Sequence, residues 1–286
     1  MEVIWVLENV LKEQKFYNQN RILLLISSVS LWRKYHPNHK TVLYCDNITY
    51  KWLNNLEILH LWDVVKDLSY PEKIDRKVFW SSCKTKIIST TKVPLVVVDH
   101  DFLIYKNIDN ILNLNQVIYS YDELTEGWYP NKNEKFNKLL TNPIPRNINL
   151  ASNVSLLYFP NPNFANKYGL QTLKNHEEFT NMGIKDTNYM IFSEQLMLKQ
   201  WLERDKIPHK TLVNSIFNNK IIDFEEKINN RGIWNTQESL LSYKHYGMLE
   251  KNIDEKERQY LYRCINAGKR IDINKLKVKI NESNPC

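Results

Sequence analysis

Two hydrophobic periods alternate along the first half of the chain. Val3 to Leu7 clusters apolar side chains as a strand does, and Lys15 to Tyr35 then spaces Leu23, Leu24, Ile26, Leu31 and Trp32 as a helix does. Thr41 to Cys45 predicts a second strand ending in Asp46-Asn47, with a short helix over Ile48 to Asn55. Leu56 to Leu68 reads as a third strand with irregular flanks. Tyr70-Pro71-Glu72 is a turn, and Val78 to Thr91 carries Phe79, Trp80, Cys83, Ile87 and Ile88 on one helical stripe. Strand, helix, strand, helix is the signature of an α/β fold.

The pattern changes at Val93 to Ile104. Leu95-Val96-Val97-Val98 is a continuous apolar run, the mark of a strand buried on both faces, and it ends in Asp99-His100-Asp101 before a second apolar segment. Ligands of open α/β sheets gather beyond the carboxyl ends of strands, so acids placed there can meet a substrate. Two closely spaced carboxylates can hold a divalent cation whose other positions take phosphate oxygens. A solvated turn is the plain alternative. Asp46 also follows a strand and reads either as a ligand for base or ribose or as an N-cap. Lys84, on the helix before the acids, reads either as a cation aimed at a phosphate or carboxylate or as a solvated lysine.

Beyond the acids, Asn107 to Leu114 is a polar connection and Gln116 to Tyr121 another strand. The latter leads into a predicted loop from Asp122 and Glu123 to Pro130, which serves as a wall for a polar acceptor or simply as surface. Asn131 to Ile148 resembles an insertion, Leu150 to Phe159 is a strong strand, and Asn163 to Leu173 a helix. Tyr189 to Leu202 is a further helix bearing Glu194 and Gln195. Ile221 to Phe224 and Leu240 to Tyr246 read as late strands, and Glu255 to Asn266 as a terminal helix followed by Lys269, Arg270, Lys275, Lys277 and Lys279.

Composition narrows the picture. The 286 residues include 43% hydrophobic and 25% charged positions, ordinary for a globular protein, and 12% aromatic ones. The six glycines form neither a dinucleotide-binding fingerprint nor a P-loop. A net charge of +7 suits an anionic ligand: a nucleoside diphosphate, a nucleic acid or an acidic membrane surface. Cys45, Cys83, Cys264 and Cys286 show no paired spacing, so reduced thiols and a cytoplasmic protein are expected. No leader or membrane-spanning run is read from the sequence.

From about Val3 to Lys251 this order of elements, with Asp99-His100-Asp101 after the apolar strand, resembles the GT-A fold of nucleotide-sugar glycosyltransferases. Within that fold the pattern is similar to the glycogenin and galactosyltransferase-like families. The resemblance implies a mixed, mostly parallel central sheet flanked by helices, with residues 1–254 as the glycosyltransferase-like domain and 255–286 as a C-terminal helix and basic tail. It also implies a Mn²⁺ or Mg²⁺ ion bridging the donor's two phosphates. Asp101 and His245 would be direct ligands, with Asp99 acting through water or the ribose hydroxyls. The segment from His245 through Gly247 to Lys251 is similar to those families' late His-x-x-G-x-x-Lys motif, with the glycine one residue early. Lys84 then falls where a cation contacts the donor, Asn153 where an Asn closes on the sugar, and Glu194-Gln195 where an acidic-Gln pair lies beside it.

The implied function is transfer of a sugar, from a UDP-sugar by commonness among those families, to a hydroxyl of a glycan, lipid-linked or protein acceptor. Glu194, Asp122 and Glu123 are the candidate carboxylates for the reacting centre, with Glu194 foremost. A metal-dependent nucleotidyltransferase or phosphohydrolase would also need the paired acids. A nucleic-acid-binding module fits the charge but shows no recognised motif, so no nucleic acid is expected. The basic tail reads as a solvated extension or as a peripheral contact with an anionic membrane.

Overall fold

The computed structural model describes residues 1–8, 19–125, 150–212, 243–245, 253, 255–268 and 270–282. The chain divides into two compact units. The first comprises Met1–Leu68, Val96–Asn110 and Glu226–Cys286, and the second Ser69–Leu95 and Ile111–Glu225. Together they are mixed α/β with mostly parallel strand pairing.

In the first unit the strands run in the order β3-β2-β1-β4: β1 is Glu2–Leu7, β2 Lys40–Cys45, β3 Val64–Asp67 and β4 Leu95–Val98. β1 pairs parallel with β2, and β2 with β3, so the carboxyl ends of β1 to β3 lie along one edge. Helix α1 (Gln19–Tyr35) connects β1 to β2. Its residues from Ile22 to Trp32 are buried all round, beyond the single stripe expected, as happens when a helix has neighbours on more than one side. The serines on it are absorbed accordingly. Ser28 accepts from the Trp5 indole at 3.0 Å and donates to the Phe102 carbonyl, and Ser27 donates to the Leu261 carbonyl.

Helix α2 (Asn47–Asn55) ends where the third strand was expected to begin. The Glu57 amide bonds Asn54 O and the Ile58 amide bonds Leu53 O, a paired C-terminal cap that turns the chain with Glu57 at φ 58°. A 3₁₀ turn over Leu59–Leu61 follows, so only Val64–Asp67 is strand. The basic tail holds a further helix. After α8 (Glu255–Ala267; α3 to α7 are given below), α9 (Ile273–Glu282) buries Leu276 and Ile280 and sets Lys275 and Lys279 against Glu57.

In the second unit β6 (Val117–Leu124) pairs antiparallel with β7 (Leu150–Phe159) and parallel with the short β8 (His209–Thr211). Asp122 and Glu123 therefore lie within a strand and not in a loop, both buried. The sequence underpredicted this strand because charged residues seldom enter a ladder without partners, and their partners are remote. Helix α3 (Ser82–Thr90) packs on α5 (Pro162–Asn181), and a segment over 188–204 completes the unit. That segment comprises α6 (Asn188–Ile191), a π turn (Phe192–Leu196) and α7 (Met197–Arg204). The short α4 (Asp109–Leu112) follows β5, the strand described with the site below. The described residues contain no helix long and apolar enough to cross a membrane. Cys45, Cys83 and Cys264 are buried.

Candidate functional site

Asp99 follows β4 directly. The Phe102 amide donates to the Asp99 carbonyl at 3.1 Å, closing a four-residue turn that contains both acids and His100 and opens into β5 (Phe102–Ile104). Asp101 is buried, whereas Asp99 and His100 are half-buried. β5 pairs antiparallel with β9 (Tyr243–His245), and His245 stands opposite Phe102, the residue after Asp101. The backbone thus brings all three expected metal residues to one place in the first unit. The side chain of His245, together with Gly247 and Lys251, lies outside the described residues. Among the described residues no cluster of three His, Cys, Asp or Glu side chains is close enough to hold an ion. By donor chemistry the set fits: two carboxylates and an imidazole suit a hard divalent cation such as Mn²⁺.

Two other residues of this unit bear on the expectations. Asp46 accepts from the Thr49 amide at 2.7 Å and so caps α2. Arg21, unnoticed in the sequence, donates from Nε to His100 Nε2 at 3.0 Å. A lone arginine in a helix's first turn gives no sequence signal for such a contact.

The second unit joins Lys84 to Glu194. Lys84 Nζ stands 2.8 Å from Glu194 Oε1, with both side chains almost wholly buried. Glu194 sits within the π turn, where the Met197 amide reaches back to Phe192 O and the extra residue changes the phase of the helix. The Tyr168 hydroxyl donates to the Glu194 carbonyl at 2.9 Å, anchoring that turn on α5. Lys86, further along α3, donates to the Tyr70 carbonyl. Gln195, next to Glu194, is half-buried.

Asp122 belongs to another network. Its Oδ1 accepts from the Tyr119 hydroxyl at 2.8 Å and stands 3.1 Å from Lys199 Nζ, which also donates to Tyr119 and pairs with Glu203. Burial, then the charge of Asp122, pushes the Tyr119 phenol far above its ordinary range, so it stays a neutral donor. Glu203 is held below its ordinary value; burial opposes this, but Lys199 and then His209 outweigh it. Lys199 was invisible in the sequence because a lysine four residues before a glutamate looks like a solvated helix pair.

Asn153 and Glu123 meet across the same strands, Asn153 Nδ2 donating to Glu123 Oε1 at 3.0 Å. The ladder slips there between Tyr119 and Tyr121. Asn153 Oδ1 accepts from the Ser155 amide and hydroxyl, and Ser120 Oγ accepts from the Leu156 amide, so side chains satisfy backbone that the slip would orphan.

Several solved structures resemble this chain. One is the glycosyltransferase GlyE of Streptococcus pneumoniae TIGR4, 11% identical with a TM-score of 0.47, covering 98% of this chain. The chain spans 62% of the length of GlyE. Another is the galactosyltransferase LgtC, solved with donor and acceptor sugar analogs, 8% identical with a TM-score of 0.49, covering 98% of this chain and 100% of its own. An active-site mutant of LgtC is also similar, 8% identical with a TM-score of 0.45, covering 93% of this chain and 96% of its own. No family model and no curated protein matches the sequence.

Proposed function

We propose that the chain is a metal-dependent glycosyltransferase of the GT-A fold, moving a sugar from a nucleotide-sugar, a UDP-sugar in particular, to a hydroxyl of a glycan, lipid-linked or protein acceptor. One observation carries this reading: two carboxylates share a hydrogen-bonded turn at the end of a fully buried strand, with His245 on the strand beside them. A bound Mn²⁺ or Mg²⁺ would supply positive charge to the departing diphosphate without proton transfer. Asp101 and His245 would hold it directly, and Asp99 through water or the ribose hydroxyls. Gly247 and Lys251 are assigned to the diphosphate, and Asp46 to base or ribose. Glu194 is the residue assigned to the reacting centre, with Lys84 holding its carboxylate in place, and Asn153 and Gln195 are assigned to the sugar. Asp122 is the second carboxylate of this chemistry, oriented through Oδ1 by Tyr119 and Lys199.

The test is titration of UDP and a panel of nucleotide sugars into chelator-treated protein, with and without Mn²⁺. Binding is expected only with metal, and Asp101→Ala and Asp99→Ala are each expected to abolish it, because the diphosphate charge is then uncompensated. Undiminished affinity without metal overturns the proposal. Phosphate-bond cleavage without sugar transfer would instead identify a nucleotidyltransferase or phosphohydrolase.

A further inference from the structure

His100 stands between the two acids, and its ring is engaged by a residue far away in the sequence. Arg21 Nε lies 3.0 Å from His100 Nε2, a side-chain bond spanning 79 residues. A guanidinium has no acceptor, so the direction is fixed: Nε–H donates and the imidazole lone pair on Nε2 accepts. A neutral imidazole has one such lone pair, and its other nitrogen then carries the proton. Neither nitrogen of His100 is available to a metal while this bond is made.

We infer that Arg21 selects the metal of the Asp99-His100-Asp101 turn: by occupying Nε2 it withholds the imidazole, so the turn offers a cation oxygen ligands only. This inference rests on the reading of that turn as a metal site. The chemistry gives it a consequence. Carboxylates suit Mg²⁺ and Mn²⁺, whereas each added imidazole favours Co²⁺, Ni²⁺ and Zn²⁺, the later metals of the divalent series. An unmasked histidine inside the motif would add a second imidazole to the one assigned to His245 and move the preference further toward those later metals. Arginine serves better than lysine, since its planar donor group stays charged and holds a fixed direction. Arg21 is a positioning residue here, touching the turn and not the ion.

Two measurements test this. In metal-free, ¹⁵N-labelled protein at neutral pH, long-range proton–nitrogen spectra should show His100 as the single tautomer protonated on Nδ1, and Arg21→Met should lose that restriction. In titrations with Mn²⁺ and Co²⁺, Arg21→Met should raise Co²⁺ affinity relative to Mn²⁺ by about tenfold or more, the scale on which partners of ligand residues act. The Co²⁺ absorption bands should shift as a nitrogen ligand is gained. Arg21→Met combined with His100→Asn should return to the wild-type preference. Should Arg21→Met fold poorly, His100→Asn alone decides: it should keep wild-type Mn²⁺ affinity, and its loss would make His100 a ligand and overturn the inference. An unchanged tautomer and Co²⁺-to-Mn²⁺ ratio in Arg21→Met removes this inference alone. Wild-type protein that binds neither ion removes the metal-site reading and this inference with it.

Discussion

Lys84 and Glu194 form a buried ion pair between a helix and a π turn, and such a pair serves either stability or reactivity. The two uses give separable outcomes. Removing one partner of a buried pair leaves an uncompensated charge, so Lys84→Met is expected to lower unfolding free energy by about 3 kcal/mol. Lys84→Met with Glu194→Gln should recover much of that loss, because neither side chain is then charged. Urea unfolding of wild type and the two variants decides, and a Lys84→Met protein as stable as wild type would refute the account. Under the proposed function Glu194→Gln alone should lower turnover by about a hundredfold or more while leaving donor affinity nearly unchanged. Initial rates beside calorimetric donor binding check this, and wild-type turnover would shift the assignment to Asp122 and Glu123.

Contact between elements turns on a few backbone positions. Gly169 of α5 faces α3 so closely that a Cβ there would sit 2.6 Å from the Ser89 amide nitrogen and 2.7 Å from its Cα. Replacing a helical glycine by alanine ordinarily stabilises by about 1 kcal/mol. Here the obstacle is backbone, which cannot rotate away, and overpacking costs about 1–3 kcal/mol or more. Gly169→Ala is therefore expected to lower the melting temperature, and Ser89→Ala should not rescue it; a stabilised Gly169→Ala protein would show that α3 and α5 separate freely. At the end of α2, Glu57 occupies the left-handed conformation that glycine usually takes, and it accepts from Lys275 and Lys279 of α9. Those lysines hold Glu57 down to about 2 through hydrogen bonds and charge. Glu57→Gly should relieve the backbone while loosening α9, seen as faster amide exchange over residues 273–282 with little change in the rest of the first unit. Unchanged exchange there would mean that Leu276 and Ile280 alone dock the helix.

For the whole molecule, each unit carries a buried histidine that must stay neutral. In the first, His36 accepts from the Ile108 amide through Nε2 and donates to the Trp32 carbonyl, stacked on Trp32 and beside His39 and Asp109. Burial, opposed by Asp109, lowers it to about 4 from 6.5. In the second, burial lowers His176, tilted against Phe79, to about 3. The unfolded chain takes up protons at these rings before the folded one does, so both stabilise fully above about pH 6.5 and lose that contribution as pH falls toward the folded values. For His36 the contribution is about 3 kcal/mol. Urea midpoints should accordingly decline between about pH 6.5 and 4, and the decline should be shallower in His36→Asn. A flat profile would mean that the rings are hydrated in the folded state.

Read along the chain alone, the residues establish the α/β class, most of the strands and helices, and the acidic turn after the apolar strand. Those features are local: a run such as Leu95 to Val98 is buried whatever surrounds it, and Asp99-His100-Asp101 is read from three neighbours. Glu194 and Lys84 also stand out along the chain, though not as partners. Who meets whom is settled by packing. Arg21 reaches His100, Lys84 reaches Glu194, Lys199 reaches Asp122, and β9 brings His245 opposite Phe102. Packing also turned Asp122 and Glu123 from an expected loop into buried strand, since a carboxylate enters a ladder only when a remote lysine, tyrosine or asparagine stands ready to satisfy it. Hydrophobic period is written along the chain, whereas the partner of a buried charge is fixed by contact between segments that the sequence keeps far apart.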